Sequence, residues 1–147
     1  MSDAASCKIT ADQEHPDAAH PSRSGPANDD RPERYLAVVG SRKFQDLDRV
    51  RLFIQDLSPE TIVVSGGAPG VDRCAADAAR ARGLRVIELL ADWKRFGRRA
   101  GYLRNELVVR RCGRMVAFWD GSSPGTRHAV DLALKLGRSV VIHTPWI

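Results

Sequence analysis

Short apolar runs alternate with longer stretches of helical periodicity over residues 34–147 of the chain. Each run is bounded by glycine or polar residues and predicts a buried β-strand. The predicted strands span residues 35–39, 61–64, 85–90, 114–119 and 139–143. Between them, apolar residues recur at spacings of three and four, which predicts amphipathic helices. The predicted helices span residues 47–57, 71–82, 98–112 and 126–136.

This alternation predicts an α/β domain with a parallel sheet, because parallel strands need long crossover connections that a helix provides. Right-handed crossovers favour a single doubly wound, Rossmann-like sheet of five strands with helices on both faces. In such folds, ligands bind beyond the carboxyl ends of the strands, where the strand order reverses. The residues that directly follow the strands are therefore the first candidates for function.

The first 33 residues differ in composition from the rest of the chain. They carry three basic and seven acidic groups, a net charge of −4, and no aromatic residue. Residues 34–147 carry +9, which leaves the chain of 147 residues with a net charge of +5. Because residues 1–33 offer too little apolar surface to offset the entropy lost on folding, we expect a disordered acidic tail before one domain at 34–147. Such a tail either competes with an anionic ligand or only aids solubility.

Several functional classes are excluded by what the chain lacks. No stretch of about 18 apolar residues predicts a membrane span, and no basic start with an apolar run predicts a secretory signal. Cys7, Cys74 and Cys112 lie far apart, so neither a disulfide framework nor a zinc site is expected. We therefore expect a cytoplasmic protein of bacterial type, with no membrane partner and no metal site.

Three of the predicted strand ends carry small residues. They read GSR at 40–42, SGGAPGVD at 65–72 and DGSSPGT at 120–126. Glycine lets a ligand approach the backbone closely, and the start of a helix presents free amides with about half a unit of positive charge. The second and third of these loops open predicted helices, so both suit a phosphate. Taken alone, each loop also fits a tight strand-to-helix turn.

Common nucleotide and hydrolase motifs are absent. Gly70 is followed by valine and aspartate, so the GxxxxGK[ST] phosphate loop is missing. No strict GxGxxG follows the first predicted strand, which argues against an ordinary dinucleotide dehydrogenase. The absence of GxSxG removes Ser41 and Ser65 as candidate nucleophiles of a nucleophile elbow.

Beyond the loops, the chain contains the segments GSRKF, VVSGGAPGVDRCAADAARARGL, ADW, AGYLRN and AFWDGSSPGTRHAVDLA, in this order over nearly all of residues 36–142. Together they resemble the YspA/YpsA-related branch of the SLOG superfamily, which is named after the Smf/DprA and LOG proteins. The resemblance implies the sheet order 3-2-1-4-5, which places the first and fourth strands side by side. It also implies a nucleotide-derived ligand, held by a sensor or a nucleotide-processing enzyme.

The resemblance assigns candidate ligand-binding residues position by position: Gly40, Ser41 and Arg42 in the first loop, Gly66, Gly67, Gly70 and Asp72 in the second, Arg104 and Asn105 in the RN pair, and Gly125 and Thr126 in the last loop. The loops themselves add Ser65, Asp120, Gly121 and Ser122. Arg42 and Arg104 can grip a phosphate through two parallel hydrogen bonds. Two alternatives stay open: Arg104 as a solvated surface residue, and Asp72 as a helix cap instead of an acceptor for a ribose or base.

One position departs from the LOG phosphoribohydrolases that the last loop resembles. Their pattern is PGGxGTxxE, whereas Ala129 stands here at the glutamate position. Alanine cannot stabilise the oxocarbenium-like state of glycosidic cleavage or activate water. Asp72, Asp120 or Asp131 are the alternative carboxylates, and the spacing assigns none of them a catalytic role.

Two further groups suggest contacts with bases or nucleic acid. Trp119, at a strand end, is the first candidate for stacking a base, followed by Trp93, and packing in the core or in a lid is the alternative role for both. The run from Lys94 to Arg114 holds eight basic residues against the single acid Glu106. Such a run usually forms a solvated face, and the alternative is that it follows a nucleic-acid backbone, which the resemblance to the single-strand DNA binder DprA keeps open.

The sequence therefore predicts a domain that binds a nucleotide-derived, phosphate-bearing small molecule at the carboxyl edge of the sheet, as a sensor or nucleotide-processing module. The first alternative is a nucleoside-phosphate hydrolase, and the second is DprA-like binding of single-stranded nucleic acid. No cofactor is expected, although magnesium can accompany a phosphate. Assembly into a homo-oligomer is left open.

Overall fold

The computed structural model of the protein describes residues 7–9 and 31–145. Its strands are β1 (Cys7–Ile9), β2 (Tyr35–Gly40), β3 (Ile62–Ser65), β4 (Arg85–Ala91), β5 (Arg114–Phe118) and β6 (Ser139–His143). Its helices are α1 (Leu47–Gln55), α2 (Val71–Ala81), α3 (Trp93–Phe96), α4 (Arg99–Arg111) and α5 (Pro124–Lys135), and a 3₁₀ turn spans Pro32–Arg34.

The strands form one sheet in the order β1-β4-β3-β2-β5-β6. All pairings among β2 to β6 are parallel. Counted from β2 as the first parallel strand, the order is 3-2-1-4-5, and the predicted Rossmann-like α/β fold is confirmed. The strand order reverses between β2 and β5, so a crevice is expected beyond their carboxyl ends.

A sixth strand lies at one edge of the sheet. β1 pairs antiparallel with β4, and Cys7 is opposite Ala91. These three residues fall within the segment expected to be a disordered tail, so the prediction differs from the structure there. The physical reason is that an edge strand such as β4 carries unpaired backbone groups that a short segment can satisfy. The rest of the expected tail, at residues 1–6 and 10–30, lies outside the described residues.

Both faces of the sheet are covered at its central strand, which explains why residues 36–39 of β2 are all apolar. Alternate residues of a strand point to opposite faces. Ala37 and Val39 pack in the cluster that includes residues of α4 and α5. Leu36 and Val38 pack in the cluster that includes residues of α1 and α2. All four side chains are buried.

The helices follow the predicted ranges to within one residue at each end, apart from three larger differences. α5 begins at Pro124, two residues earlier than predicted, because proline is favoured in the first turn of a helix. α3 was not predicted, and Gly97 (φ +56°) separates it from α4. α1 ends at Gln55, two residues short of its predicted end. Within the residues that the structure describes, no helix has both the length and the apolar character needed to cross a membrane.

Candidate functional site

A cavity of about 500 Å³ opens where the strand order reverses. Its walls come from the loops after β2, β3 and β5, together with α3, α4 and the start of α5. From the first two loops, the predicted residues in its lining are Gly40, Arg42, Gly66 and Asp72. From α4 and the last loop they are Arg104, Asn105, Asp120, Ser122, Gly125 and Thr126. Residues from four separate predicted segments therefore meet at one edge of the sheet.

The other five predicted residues do not line the cavity. They are Ser41, Ser65, Gly67, Gly70 and Gly121. Three of them, Gly67, Gly70 and Gly121, have positive φ angles of 72°, 93° and 89°. Their part in the site is to shape the loops, since this backbone conformation favours glycine.

Ser41 holds the first loop against β5. Its side chain is buried, and its backbone amide donates to the carbonyl of Phe118 at 3.0 Å. Its hydroxyl oxygen accepts a hydrogen bond from the amide of Asp120 at 3.1 Å. These two bonds fix the loops after β2 and β5 side by side across the reversal of the sheet.

Close packing requires glycine at two points of contact between the first loop and α2. A Cβ atom on Gly40 would lie 2.6 Å from the Cβ of Val71. A Cβ atom on Gly70 would lie 2.8 Å from the carbonyl oxygen of Arg42. Any side chain at these positions would push α2 away from the sheet edge.

The amides of the second loop donate to the protein's own side chains. The amide of Gly67 donates to the hydroxyl oxygen of Ser65 at 3.1 Å, and that hydroxyl donates to the carbonyl of Asp72 at 3.3 Å. The amide of Ala68 donates to Oδ2 of Asp72 at 3.4 Å. Its glycine-rich pattern therefore corresponds to a closed turn around a carboxylate. Asp72 does not act as the helix cap considered as an alternative, because the N-cap of α2 is Gly70, which has no side-chain capping bond, and the Asp72 carboxylate bonds to an amide of the loop instead.

Asp72 is the buried acid of the site. Burial raises its pKa from 3.8 to about 6, because an ionised carboxylate loses its hydration there. The Arg104 guanidinium opposes this rise in pKa, as do hydrogen bonds from the amides of Ala68, Gly40 and Gly66. This carboxyl at the wall of the cavity therefore keeps its proton to a higher pH than an exposed aspartate does.

In the loop after β5, Asp120 plays a comparable local role. Its Oδ1 accepts hydrogen bonds from the amides of Ser122 at 2.9 Å and Ser123 at 2.8 Å. These bonds, led by the Ser122 amide, lower the pKa of the Asp120 carboxyl below its usual value. Its oxygen is therefore engaged in forming the turn that leads into α5.

The first turn of α5 is different, because its amides stay open. Its N-cap residue, Ser123, makes no capping hydrogen bond with its side chain. Within the described part of the chain, the amides of Gly125 and Thr126 have no hydrogen-bond partner. A Cβ atom on Gly125 would meet nothing within 4 Å, and both residues line the cavity. The helix thus presents two free donors and its positive end to this space.

Four basic side chains line the same cavity: Arg42, Lys43, Arg98 and Arg104. Lys43 and Arg98 were not predicted as site residues. Of the described residues, none forms an ion pair with Arg42, Lys43 or Arg98. The acids that line the cavity, Asp72 and Asp120, are both engaged in internal hydrogen bonds. An anion in the cavity therefore meets a surplus of positive charge.

Two exposed aromatic side chains complete the wall formed by α3 and α4. Trp93 is 50% exposed and Tyr102 is 48% exposed, and both line the cavity. Trp93 lies against Gly101, and the Tyr102 ring makes an edge contact with His128 at 4.7 Å between centroids. Trp119, the first stacking candidate from the sequence, lies outside the cavity and donates its indole N–H to the carbonyl of Ser123.

The two ends of the basic run differ in their surroundings. At the α3 end, the exposed members are Lys94, Arg95, Arg98 and Arg99. At the other end of α4, Arg110 pairs with Glu106 at 3.2 Å, and Arg114 donates to the carbonyl of Glu33 at 3.0 Å. Only the first group is close to the cavity, because Arg98 is part of its lining.

Comparison with known proteins identifies the family to which the chain belongs. Residues 35–96 match the model of the YspA, cpYpsA-related SLOG family. The Gene 61 protein of Mycobacterium phage D29 is 38% identical over 118 residues, which cover 74% of this chain and 94% of the phage protein. The chain belongs to the YspA, cpYpsA-related SLOG family.

Two solved structures of DNA processing protein A have a similar fold. The Streptococcus pneumoniae protein matches with a TM-score of 0.66 and 22% identity, over 74% of this chain and 49% of that one. The Helicobacter pylori protein, whose structure concerns its single-stranded DNA binding mode, matches with a TM-score of 0.56 and 18% identity, over 80% of this chain and 68% of that one. This chain spans about half the length of the S. pneumoniae protein. At these identities the likeness shows the fold alone.

We predict that Asp72→Asn changes the dependence of stability on pH. The carboxyl titrates near 3.8 when unfolded and near 6 when folded. Between these values the folded state binds more protons, so this group makes the wild-type chain less stable as pH rises from about 4 to 6. Over that window, the wild-type chain is expected to lose about 2 kcal/mol of unfolding free energy relative to the variant.

Denaturant unfolding at about pH 4 and about pH 7 measures this difference. Asp77→Asn is the matched control, because Asp77 lies on the same helix with its side chain 70% exposed. The control should follow the wild-type pH dependence. If Asp72→Asn also follows it, Asp72 does not titrate as a buried acid.

Proposed function

We propose that the cavity binds a nucleotide-derived small molecule that carries a phosphate, and that the protein acts as a sensor or nucleotide-processing module. The observation that carries this proposal is the open first turn of α5, whose Gly125 and Thr126 amides have no hydrogen-bond partner among the described residues. This turn borders a cavity of about 500 Å³, a volume typical of small-molecule sites.

The phosphate is expected at the start of α5. Backbone amides and the helix dipole favour an anion at such a position. Arg42 and Lys43 line the same cavity and add charge from the neighbouring loop. The closed second loop cannot offer its Gly67 and Ala68 amides in the same way, because Ser65 and Asp72 already accept from them. The proposal is therefore one main phosphate position, not two.

The base is expected at the aromatic wall. Trp93 and Tyr102 expose about half of their surface while lining the cavity. Aromatic faces of this kind stack on nucleobases, with a favourable free energy of about 1–3 kcal/mol per base. The combination of one anion position with an exposed aromatic wall favours a nucleotide over an inorganic anion.

Phosphoribohydrolase activity of the LOG type is the weaker alternative. Ala129 lines the cavity at the position of the LOG glutamate, and it is buried. Asp72 is the cavity carboxyl with a raised pKa, but its Oδ2 already accepts from the Ala68 amide. Binding therefore has more support than hydrolysis.

We predict that Gly125→Asp weakens binding of nucleoside 5′-monophosphates about a hundredfold. A carboxylate at the start of α5 would repel the phosphate by about 3 kcal/mol at an effective dielectric near 20. The side chain has space, and a negative charge in the first turn stabilises the helix, so folding should not suffer. Calorimetric titration with the common monophosphates measures the change.

Gly125→Asn is the control, because it has the same shape without the charge. Its affinity is expected within about threefold of that of the wild-type chain, since it leaves the electrostatics unchanged. Equal affinities for the Asp variant and the wild-type chain would show that the phosphate does not bind at the start of α5.

Single-stranded nucleic acid is the second candidate ligand. Its support is the exposed basic group at the α3 end, Lys94, Arg95, Arg98 and Arg99, beside the exposed ring of Trp93. The likeness of the fold to DNA processing protein A adds to this. A strand would follow the basic group while a base stacks at the aromatic wall.

If a single strand binds here, the affinity must fall steeply with salt. Each phosphate neutralised contributes a slope of about −0.7 in log K against log salt, so Lys94→Ala with Arg99→Ala should make the slope shallower by about 1.4. Fluorescence anisotropy with a labelled oligonucleotide measures it. Arg110→Ala, at the far end of α4, should leave the slope unchanged. Affinity that does not depend on salt would reject this candidate.

A further inference from the structure

Asn105 lies at the centre of a hydrogen-bond network that joins three parts of the site. Its Oδ1 accepts from Nε of Arg104 at 3.2 Å. Its Nδ2 donates to the carbonyl oxygen of Gly125 at 3.1 Å and lies 3.3 Å from Nδ1 of His128. The side chain thus connects α4 to the first turn of α5.

The chemistry of the partners fixes the orientation of this amide. The Nε–H of Arg104 can only donate, so it requires the oxygen of Asn105. The NH₂ group must then face Gly125 and His128, where the carbonyl oxygen of Gly125 accepts. In the reverse orientation, two donors would face each other at Arg104 and two oxygens would face each other at Gly125. The second hydrogen of this NH₂ group then faces Nδ1 of His128, 3.3 Å away.

The contact with Gly125 determines where an amide donor lies. The carbonyl of Gly125 and the N–H of Thr126 belong to one planar trans peptide and point in opposite directions. A hydrogen bond that holds this carbonyl therefore also holds the Thr126 N–H, and it polarises the peptide so that the N–H becomes a stronger donor. This N–H is one of the two open amides of α5.

Arg104 connects the same network to the second loop. Its NH1 donates to the carbonyl oxygen of Gly66 at 2.8 Å. A Cβ atom on Gly66 would lie 2.5 Å from Cδ of Arg104, so only glycine permits this close contact. The RN pair, predicted from the sequence to bind ligand, thus uses much of its hydrogen-bonding capacity to brace the loops.

We infer that Asn105 is a positioning residue, which orients the Gly125–Thr126 peptide so that the Thr126 amide is directed to the phosphate. This inference rests on the proposed function, because it assigns the orientation of a donor in that same site. Removing the side-chain amide should weaken recognition of the phosphate while leaving recognition of the base intact.

The test compares Asn105→Leu with the wild-type full-length chain in two measurements. The first is the amide resonance of Thr126 in the ¹H–¹⁵N spectrum of the free protein. The second is the affinity for a nucleoside 5′-monophosphate and for its parent nucleoside. We expect the resonance to move, monophosphate binding to weaken about tenfold, and nucleoside binding to stay unchanged. The neutral side chain of Leu excludes an effect of added charge.

Glu106→Leu is the matched control, because Glu106 is the next residue on α4 and contacts Arg110 instead of the network. It should leave both measurements unchanged. If Asn105→Leu does not fold, Asn105→Asp replaces it in the measurement of the Thr126 resonance. The Asp side chain keeps the acceptor for Arg104 but loses the donor to the Gly125 carbonyl.

An unmoved Thr126 resonance, or equal losses for the nucleoside and the monophosphate, would overturn the positioning role. If the wild-type chain binds no monophosphate, the proposed function is overturned instead. The Thr126 resonance of the free protein then still decides whether Asn105 orients this peptide.

Discussion

Burial of the Asp72 carboxylate at the sheet edge is the constraint on which the rest of the site depends. An ionised group in this place must be compensated, and the Arg104 guanidinium and the loop amides supply the compensation. In doing so they close the second glycine loop. The amides in the first turn of α5 stay free. Asp72 therefore determines which end of the cavity offers hydrogen-bond donors to a ligand, because it occupies the donors of the second loop.

The same constraint explains the position of Arg104. It is drawn towards Asp72 by charge and held to the carbonyl of Gly66, which leaves Asn105 placed to reach α5. The two loops are therefore linked through side chains of α4. A change in the conformation of either loop should therefore alter the hydrogen bonds at the other loop, because Arg104 and Asn105 bond to both.

Much of the fold could be predicted from the sequence, because the residues that helices and strands bury against one another recur with a regular apolar period. The five parallel strands and the four longer helices follow from it. α3 has only four residues, too few for a periodic signal. β1 depends on the free edge of β4, which is a tertiary property that the composition of residues 1–33 does not reveal.

Within the site, the loops could be predicted but the direction of their donors could not. Glycine spacing shows where a backbone can turn tightly, yet it does not show that Ser65 and Asp72 fill the second loop. Tyr102 stands next to Gly101 in the AGYLRN segment and Lys43 next to Arg42 in GSRKF, so the signal for both was adjacency to recognised motifs. Trp119 was favoured for its place at a strand end, but it does not line the cavity, and its indole N–H donates to the carbonyl of Ser123.

The most direct test of this account is a ¹H–¹⁵N titration of the full chain with nucleoside 5′-monophosphates. The largest shifts are expected at the backbone amides of Gly125 and Thr126 and at the indole N–H of Trp93. No shifts, or shifts confined to residues 66–70, would contradict the assignment of the open turn of α5 as the place where the phosphate binds.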